Sequence, residues 1–89
     1  MKNETILYFC NSYLLMLNYY ESLEEVISDF YGKESGESVE RLKNECSTLL
    51  EMNPEEKKRE IKEVISNIRY LDIKPSEMEN VLKTINSKI

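Results

Sequence analysis

Apolar residues recur at intervals of three and four positions in five successive segments of the sequence. In the first segment they are Ile6, Phe9, Cys10, Tyr13, Leu14 and Leu17. This spacing places the apolar side chains on one face of an α-helix, whereas a half-buried strand would alternate apolar and polar residues. The pattern therefore predicts an all-α protein with helices over residues 4–18, 23–31, 38–52, 54–69 and 76–85.

Residues that cap or interrupt helices mark the predicted boundaries. Ser22–Glu25 fits a capping box, in which the Ser22 hydroxyl accepts from a first-turn amide and Glu25 reaches back to the amide of Ser22. Asn53–Glu56 combines a capping asparagine, a proline and two acids at the start of the fourth helix. Ser76–Glu79, just after Pro75, predicts a second capping box. We expect Gly32 to end the second helix and residues 33–37 to form a polar loop.

The length of the chain, 89 residues, is that of one small domain. A domain of this size buries about 60–65% of the surface that its unfolded chain exposes, which supports one modest core. Doubly wound nucleotide-binding folds and barrel enzymes need far more chain. Two glycines and two prolines leave little turn material for a protein of many strands. We expect residues 1–89 to form a single compact bundle of about five short helices.

The residue types that carry most protein chemistry are absent or spaced unsuitably. The sequence has no histidine, which excludes Ser-His-Asp and Cys-His catalysis and histidine-ligated metals. It has neither a glycine-rich phosphate loop nor a metal-ligand spacing. The adjacent acids Glu24–Glu25 and Glu55–Glu56 are typical of helix N-terminal turns. The sequence therefore predicts no enzyme activity, no cofactor and no metal site.

The cysteines and the N-terminal residues indicate the compartment. Cys10 and Cys46 both fall on apolar stripes, which predicts two buried, reduced thiols, with a disulfide between two helices as the alternative. The apolar run of residues 5–17 follows Glu4 and is interrupted by Asn11–Ser12, and no small-residue cleavage site follows it. It resembles neither a signal peptide nor a membrane span. We predict a cytoplasmic protein with no membrane partner.

The acidic residues are concentrated in one part of the chain. Residues 21–40 contain seven acids and one lysine, a net charge of −6, whereas the whole chain carries −5. DNA or RNA would be repelled by this segment, so direct nucleic-acid binding is disfavoured. A basic partner protein would be attracted to it.

Six tyrosines are many for a chain of this length. Tyrosine combines a large apolar ring with a polar tip, which suits contact surfaces from which water is displaced. Packing at the rim of the core is the alternative interpretation of these residues. The residues that we predict to contact a partner are Tyr19, Tyr20, Glu21, Glu24, Glu25, Asp29, Tyr31, Glu34 and Glu37.

Five segments, taken in order, resemble a known family. They are residues 7–13, 23–30 and 42–50, the Asn53–Glu56 helix start, and the Pro75–Ser76 pair that opens the last helix. Together they resemble the small helical immunity proteins of contact-dependent growth inhibition systems, over nearly the whole chain. The resemblance implies a protein that binds the C-terminal domain of a cognate toxin in the cytoplasm of the producing cell. Such toxins are commonly nucleases with basic substrate grooves, which an acidic partner would occlude.

Our leading hypothesis is therefore an immunity protein that neutralises a toxin domain by covering its basic surface. The alternative is a small acidic helical adaptor or regulatory protein that binds a host or phage protein and has no toxin partner. A toxin reading frame directly upstream would separate the two. A helix-turn-helix transcription regulator is less favoured, because the sequence lacks a basic recognition helix.

Overall fold

The computed structural model describes residues 2–69 and 71–88, and over these residues the chain is all-α. Five α-helices and one 3-10 helix follow one another. In chain order they are α1 (Glu4–Ser12), the 3-10 helix (Leu14–Tyr19), α2 (Leu23–Lys33), α3 (Gly36–Leu50), α4 (Pro54–Ser66) and α5 (Pro75–Lys88). The predicted all-α bundle is confirmed. Among the described residues, no helix has the length and apolar character needed to cross a membrane.

The core is built from one buried face of each element. Helix α5 packs against α2, α3 and α4, and α1 packs against α3. The buried side chains are Ile6, Phe9, Cys10, Leu14, Val26, Ile27, Phe30, Leu42, Cys46, Leu49, Ile61, Val64, Met78, Val81, Leu82 and Ile85. Within the described ranges no charged or polar residue is buried with them. The removal of these apolar side chains from water is therefore the main stabilising contribution to the fold.

The first predicted helix, 4–18, is α-helical only as far as Ser12. At Tyr13 the backbone leaves ideal α geometry, with φ −119° and ψ −51°, and the chain continues as the 3-10 helix. Residues three apart lie on the same face of a 3-10 helix. Leu14 and Leu17 therefore share one side, and Met16 and Tyr19 share another. A run of apolar residues fits either helix type, which is why the spacing did not predict the change.

The connection between α2 and α3 is shorter than predicted. Gly32 has a negative φ and remains inside α2. Ser35 caps α3, because its hydroxyl accepts from the amide of Ser38 at 3.1 Å. The predictions of a stop at Gly32 and of a loop over 33–37 were wrong, because the capping serine starts α3 at once and leaves only Glu34 and Ser35 between the helices.

The predicted caps of α2 and α4 are confirmed in their main contacts. The Ser22 hydroxyl accepts from the amide of Glu25 at 3.3 Å, and the Asn53 side chain accepts from the amide of Glu56 at 2.9 Å. The carboxylate of Glu25 accepts from the amide of Glu21 at 3.2 Å. The carboxylate therefore contacts the residue before Ser22, whereas the capping-box pattern predicted a contact with the amide of Ser22 itself.

The N-terminal cap of α5 lies two residues earlier than predicted. Because Pro75 is already helical, the third helical position is Glu77, and its carboxylate accepts from the amide of Lys74 at 3.0 Å. The predicted capping box at Ser76–Glu79 was therefore wrong. Glu79 instead pairs with lysines of α4 and α5.

The far ends of two helices also shift. Helices α3 and α4 end at Leu50 and Ser66 rather than near residues 52 and 69. At the end of α4 the side chains of Ser66 and Asn67 both donate to the carbonyl of Glu63. These side chains satisfy a carbonyl that would otherwise bond to the next helical turn, so the helix stops there.

The start of α1 is capped by a side chain from another helix. Asn3 adopts the left-handed conformation, with φ 58°, and its side chain makes no capping hydrogen bond. Glu45 of α3 accepts instead from the amides of Thr5 and Ile6, both at 2.9 Å. Helix α1 therefore depends on α3 to satisfy its first amides.

Candidate functional site

A cleft lined by tyrosines opens between α1, the 3-10 helix and α2. We call it the tyrosine cleft. Its volume is about 320 Å³, and its lining residues are Tyr8, Ser12, Tyr13, Met16, Tyr20, Asp29 and Lys33. Tyr8 and Met16 keep 45% and 39% of their surface exposed. Because aromatic residues and methionine are enriched in protein interfaces, the cleft is a candidate contact surface.

The aromatic wall of the cleft is anchored in the core. The ring of Tyr13 lies edge-on to the buried ring of Phe30, with centroids 5.0 Å apart, and stacks on Phe9 at 6.1 Å. Phe9 and Phe30 meet at 5.5 Å. Tyr8 contacts the rings of Tyr13 and Phe30, with centroids 6.2 Å and 6.3 Å away. The surface tyrosines are therefore extensions of a packed aromatic cluster.

Glu34, at the end of α2, joins two of these tyrosines. Its Oε2 accepts from the hydroxyl of Tyr8 at 2.9 Å and from that of Tyr13 at 2.5 Å. The hydrogen bond to the Glu34 carboxylate raises the pKa of both tyrosines above the ordinary value, and desolvation adds to the shift. Both hydroxyls remain protonated and are held in fixed orientations at the rim of the cleft.

Asp29 forms a second polar contact on the α2 side of the cleft. Its Oδ2 accepts from the hydroxyl of Tyr20 at 2.6 Å and pairs with the Lys33 ammonium at 3.0 Å. The hydrogen bond from Tyr20, and then that from Lys33, holds the pKa of Asp29 below its ordinary value. The same contact raises the pKa of Tyr20. The Asp29 charge is therefore partly neutralised within the protein.

Exposed acids follow the cleft where the chain turns into α2. We call Glu21, Glu24 and Glu25 the acidic turn. All three are exposed, and none forms an ion pair with a described residue. Tyr19, at the end of the 3-10 helix, is 81% exposed. The exposed ring of Tyr19 is thus followed closely in the chain by the negative charge of the acidic turn.

The other predicted contact residues lie elsewhere. Tyr31 is half-buried, and its hydroxyl oxygen is buried with no hydrogen-bond partner among the described residues. Burial raises its pKa. Positions 29 and 31 are about 200° apart around a helix, so Tyr31 does not share the face of Asp29. Glu37 lies on α3, where its carboxylate pairs with Arg41 at 2.6 Å.

The two cysteines are free and buried. Burial raises the pKa of the Cys10 thiol to about 12, and burial is also the main cause of the raised pKa of Cys46. Since the thiolate is the reactive form, both groups are unreactive at neutral pH. The predicted buried, reduced thiols agree with this arrangement, and the alternative disulfide is not present.

Metal ligation finds no support in the part of the chain that the structure describes. No group of three or more cysteine or acidic side chains is close enough there to hold an ion. The arrangement that the chain does offer is a rigid polar–aromatic surface beside a negative one, which suits the binding of another macromolecule.

Comparisons of the chain with protein-family models, curated proteins and solved structures find no match. The function is therefore argued from the geometry described above and from the sequence.

Sequence reasoning did not include Tyr8, Tyr13 and Met16 among the predicted contact residues, although Tyr8 was one of the tyrosines expected to lie partly at the surface. Tyr13 falls on the apolar stripe of the first segment and was placed in the core. Its ring does pack there, but its hydroxyl needs a polar partner, which Glu34 supplies from a distant part of the chain. The one available signal was the tyrosine itself, since a buried Tyr hydroxyl usually finds a hydrogen-bond partner.

Proposed function

We propose that this protein is an immunity protein that binds a toxin domain and blocks its basic substrate-binding surface. The observation that carries the proposal is the acidic turn, Glu21, Glu24 and Glu25, beside the exposed ring of Tyr19. The resemblance to immunity proteins of contact-dependent growth inhibition systems supports the same proposal.

Electrostatic attraction would bring the partners together. The carboxylates of the acidic turn project at the N-terminal end of α2 and have no ion pairs within the described residues, so their field extends into solvent. Opposite charge on the partner raises the association rate, and salt screens the effect over about 8 Å at physiological ionic strength. A nuclease with a basic groove is the partner that this charge favours.

The tyrosine cleft would then provide contact area that is already ordered. Three of its hydroxyls, those of Tyr8, Tyr13 and Tyr20, are bonded to carboxylates of α2 or its C-terminal cap. Side chains that are fixed before binding lose little conformational entropy in the complex. Aromatic rings held in this way are typical anchors of protein interfaces. Inhibition would be steric and electrostatic, with no chemical step performed by this chain.

The first experiment is co-expression with the product of the reading frame immediately upstream. We expect that product to stop growth alone, and this protein to restore growth and to co-purify with it as a stoichiometric complex. A harmless neighbour, or one that never co-purifies, would contradict the immunity proposal and favour the adaptor alternative.

A matched pair of variants tests the role of the acidic turn. Glu24 and Glu55 are both exposed and occupy the second position of their helices, after the caps Ser22 and Asn53. Substitution by lysine therefore opposes the helix dipole equally in Glu24→Lys and Glu55→Lys. We expect Glu24→Lys to slow association with the toxin by about two- to tenfold at low salt and to flatten its salt dependence.

Stopped-flow association at several salt concentrations gives the required rates, and circular dichroism verifies that both variants keep their helices. Glu55→Lys should associate nearly as fast as the wild type. Equal slowing by the two variants would mean that overall charge, and not the acidic turn, governs binding.

A further inference from the structure

A second hollow lies on a different side of the 3-10 helix from the tyrosine cleft, lined by Leu14 and Leu17 and not by Tyr13 and Met16. Its volume is about 440 Å³, within the range of about 300–1,000 Å³ typical of ligand pockets. We call it the aliphatic groove, because its walls are the side chains of Leu14, Leu17, Leu23, Leu71, Ile73 and Val81. These residues come from the 3-10 helix, α2, the segment before α5, and α5 itself.

The walls of the groove are incompletely covered. Leu14 and Val81 are buried, whereas Leu17, Leu23 and Ile73 are only half-buried although they pack against the core. An apolar group seated in the groove would remove these aliphatic surfaces from water, which is favourable in proportion to the area covered. The groove therefore suits an apolar occupant.

The rim of the groove is polar and acidic. Its lining includes Asp72, Ser76, Glu77 and Asn80, and no basic residue among the described ones. The Glu77 carboxylate accepts from the amide of Lys74 and still carries its negative charge. An occupant with basic residues beside its apolar group would gain from this rim, and an acidic occupant would be repelled.

The groove is also continuous with the acidic turn. Leu23, which forms part of its wall, lies between the cap Ser22 and the exposed Glu24. A partner held by the acidic turn would therefore extend directly over the groove. Both surfaces favour positive charge on the partner.

We propose that the aliphatic groove receives an apolar side chain from a segment of the protein partner in which that side chain is flanked by lysine or arginine. The inference rests on the proposed function in taking that partner to be a basic protein, and it adds the chemistry of the segment that anchors it. The acidic turn would govern the association rate, and the groove would govern the lifetime of the complex.

Three synthetic peptides test the chemistry without the toxin. The first has a Leu-Trp-Leu centre flanked by lysines, the second has the same centre flanked by glutamates, and the third has a triple-serine centre flanked by lysines. Titration is followed by the NMR methyl signals of Leu17, Leu23 and Ile73. We expect saturable methyl shifts with the first peptide and none with the third. The second peptide should bind more weakly than the first, by about fivefold or more.

Matched variants locate the binding. Ile73 and Ile65 are both half-buried, but only Ile73 lines the groove. Ile73→Ser should weaken binding of the lysine-flanked leucine peptide by about tenfold, whereas Ile65→Ser should leave it unchanged. Asn80→Lys is an exposed change that leaves the core intact, and it should weaken binding of the same peptide because it cancels part of the negative charge of the rim.

Several results would overturn the proposal. One is that the two leucine peptides bind with equal affinity, and another is that Ile73→Ser and Asn80→Lys bind the lysine-flanked leucine peptide as the wild type does. A third is that phosphatidylglycerol vesicles shift the methyl signals and the lysine-flanked leucine peptide does not. If the toxin is neutralised and its dissociation rate is the same in Ile73→Ser, the groove proposal fails and the proposed function stands. If the peptide binds as expected and no toxin is found, the groove proposal stands for a basic partner of another kind.

Discussion

The tyrosine cleft and the aliphatic groove lie on different sides of the same 3-10 helix, but they are held in different ways. In the cleft the hydroxyls of Tyr13 and Tyr20 are fixed by the carboxylates of Glu34 and Asp29. In the groove the walls are aliphatic, and the side chains of Leu17 and Ile73 pack against the core. The comparison shows that a cleft can be shaped by directional hydrogen bonds, whereas a groove of this kind is shaped by packing alone.

The tyrosine cleft and the aliphatic groove also differ in how the core supports them. The cleft is supported by the buried ring of Phe30, which contacts the rings of Tyr8, Phe9 and Tyr13. The outer wall of the groove is formed by half-buried residues such as Leu17, which have solvent on one side. Damage to the core should therefore disturb the cleft more than the groove.

The largest expected effect comes from Phe30→Ala. Removing this fully buried ring should lower the free energy of unfolding by about 3–5 kcal/mol, a large part of the 5–15 kcal/mol or so typical of a native domain. It should also loosen Tyr13. Urea denaturation gives the free energy, and the tyrosine signals in the near-ultraviolet circular dichroism report the cleft.

Leu17→Ala is the matching change on the groove side. Because Leu17 is half exposed, its truncation should lower the free energy of unfolding by about 1–2 kcal/mol and leave the tyrosine signals intact. Equal losses in the two variants, with equal changes in the tyrosine signals, would remove the distinction between the cleft and the groove.

A smaller effect is expected for Tyr13→Phe, which removes one hydroxyl and keeps the ring. The lost hydrogen bond to Glu34 should lower the free energy of unfolding by about 0.5–1.5 kcal/mol at neutral pH. Urea denaturation at neutral pH measures the loss. A variant as stable as the wild type would mean that the hydroxyl is equally well satisfied by water.

The contribution of Tyr13 should depend on alkaline pH. Its folded-state pKa is raised, so the stabilisation is complete below the unfolded pKa of about 10 and is lost as the pH rises through the folded pKa. The difference between the wild type and Tyr13→Phe should therefore shrink above about pH 10. A difference that stays constant up to higher pH would contradict the shift.

The smallest effect is expected for Asp29→Asn, at a half-buried contact of the cleft. The amide still accepts from Tyr20 but loses its charge toward Lys33, so stability should fall by less than in Tyr13→Phe. Because the folded-state pKa of Asp29 is lowered, its contribution is present above the unfolded pKa of about 4 and is lost as the pH falls through the folded pKa. Thermal unfolding from neutral to acidic pH should show the wild type converging on Asp29→Asn.

Local signals explain how much of this fold could be predicted. The caps at Ser22 and Asn53 involve residues three apart, and both were found from the sequence because the side chain and the amide it caps are neighbours. Gly32 was misjudged because glycine permits a helix stop without requiring one. The change to a 3-10 helix after Tyr13 was not predicted because the apolar run of residues 13–17 fits either helix type.

The candidate site shows the same limit. The acidic turn was recognisable because its charges are adjacent in the sequence. The tyrosine cleft was not, since Tyr8 and Glu34 are far apart in the chain and meet only in the folded protein. Tyr31 and Glu37 were predicted from their place in the acidic segment, and the structure places Tyr31 on another face of α2 from Asp29 and Glu37 on α3.

The capping of α1 by Glu45 has a consequence for the order of folding. Helices α2 and α4 carry their own caps, whereas the amides of Thr5 and Ile6 in α1 both donate to one carboxylate oxygen of Glu45 on α3. A peptide of residues 1–20 lacks this acceptor and should show little helix in water. We therefore expect the rings that line the tyrosine cleft to adopt their arrangement only when α1 packs against α3.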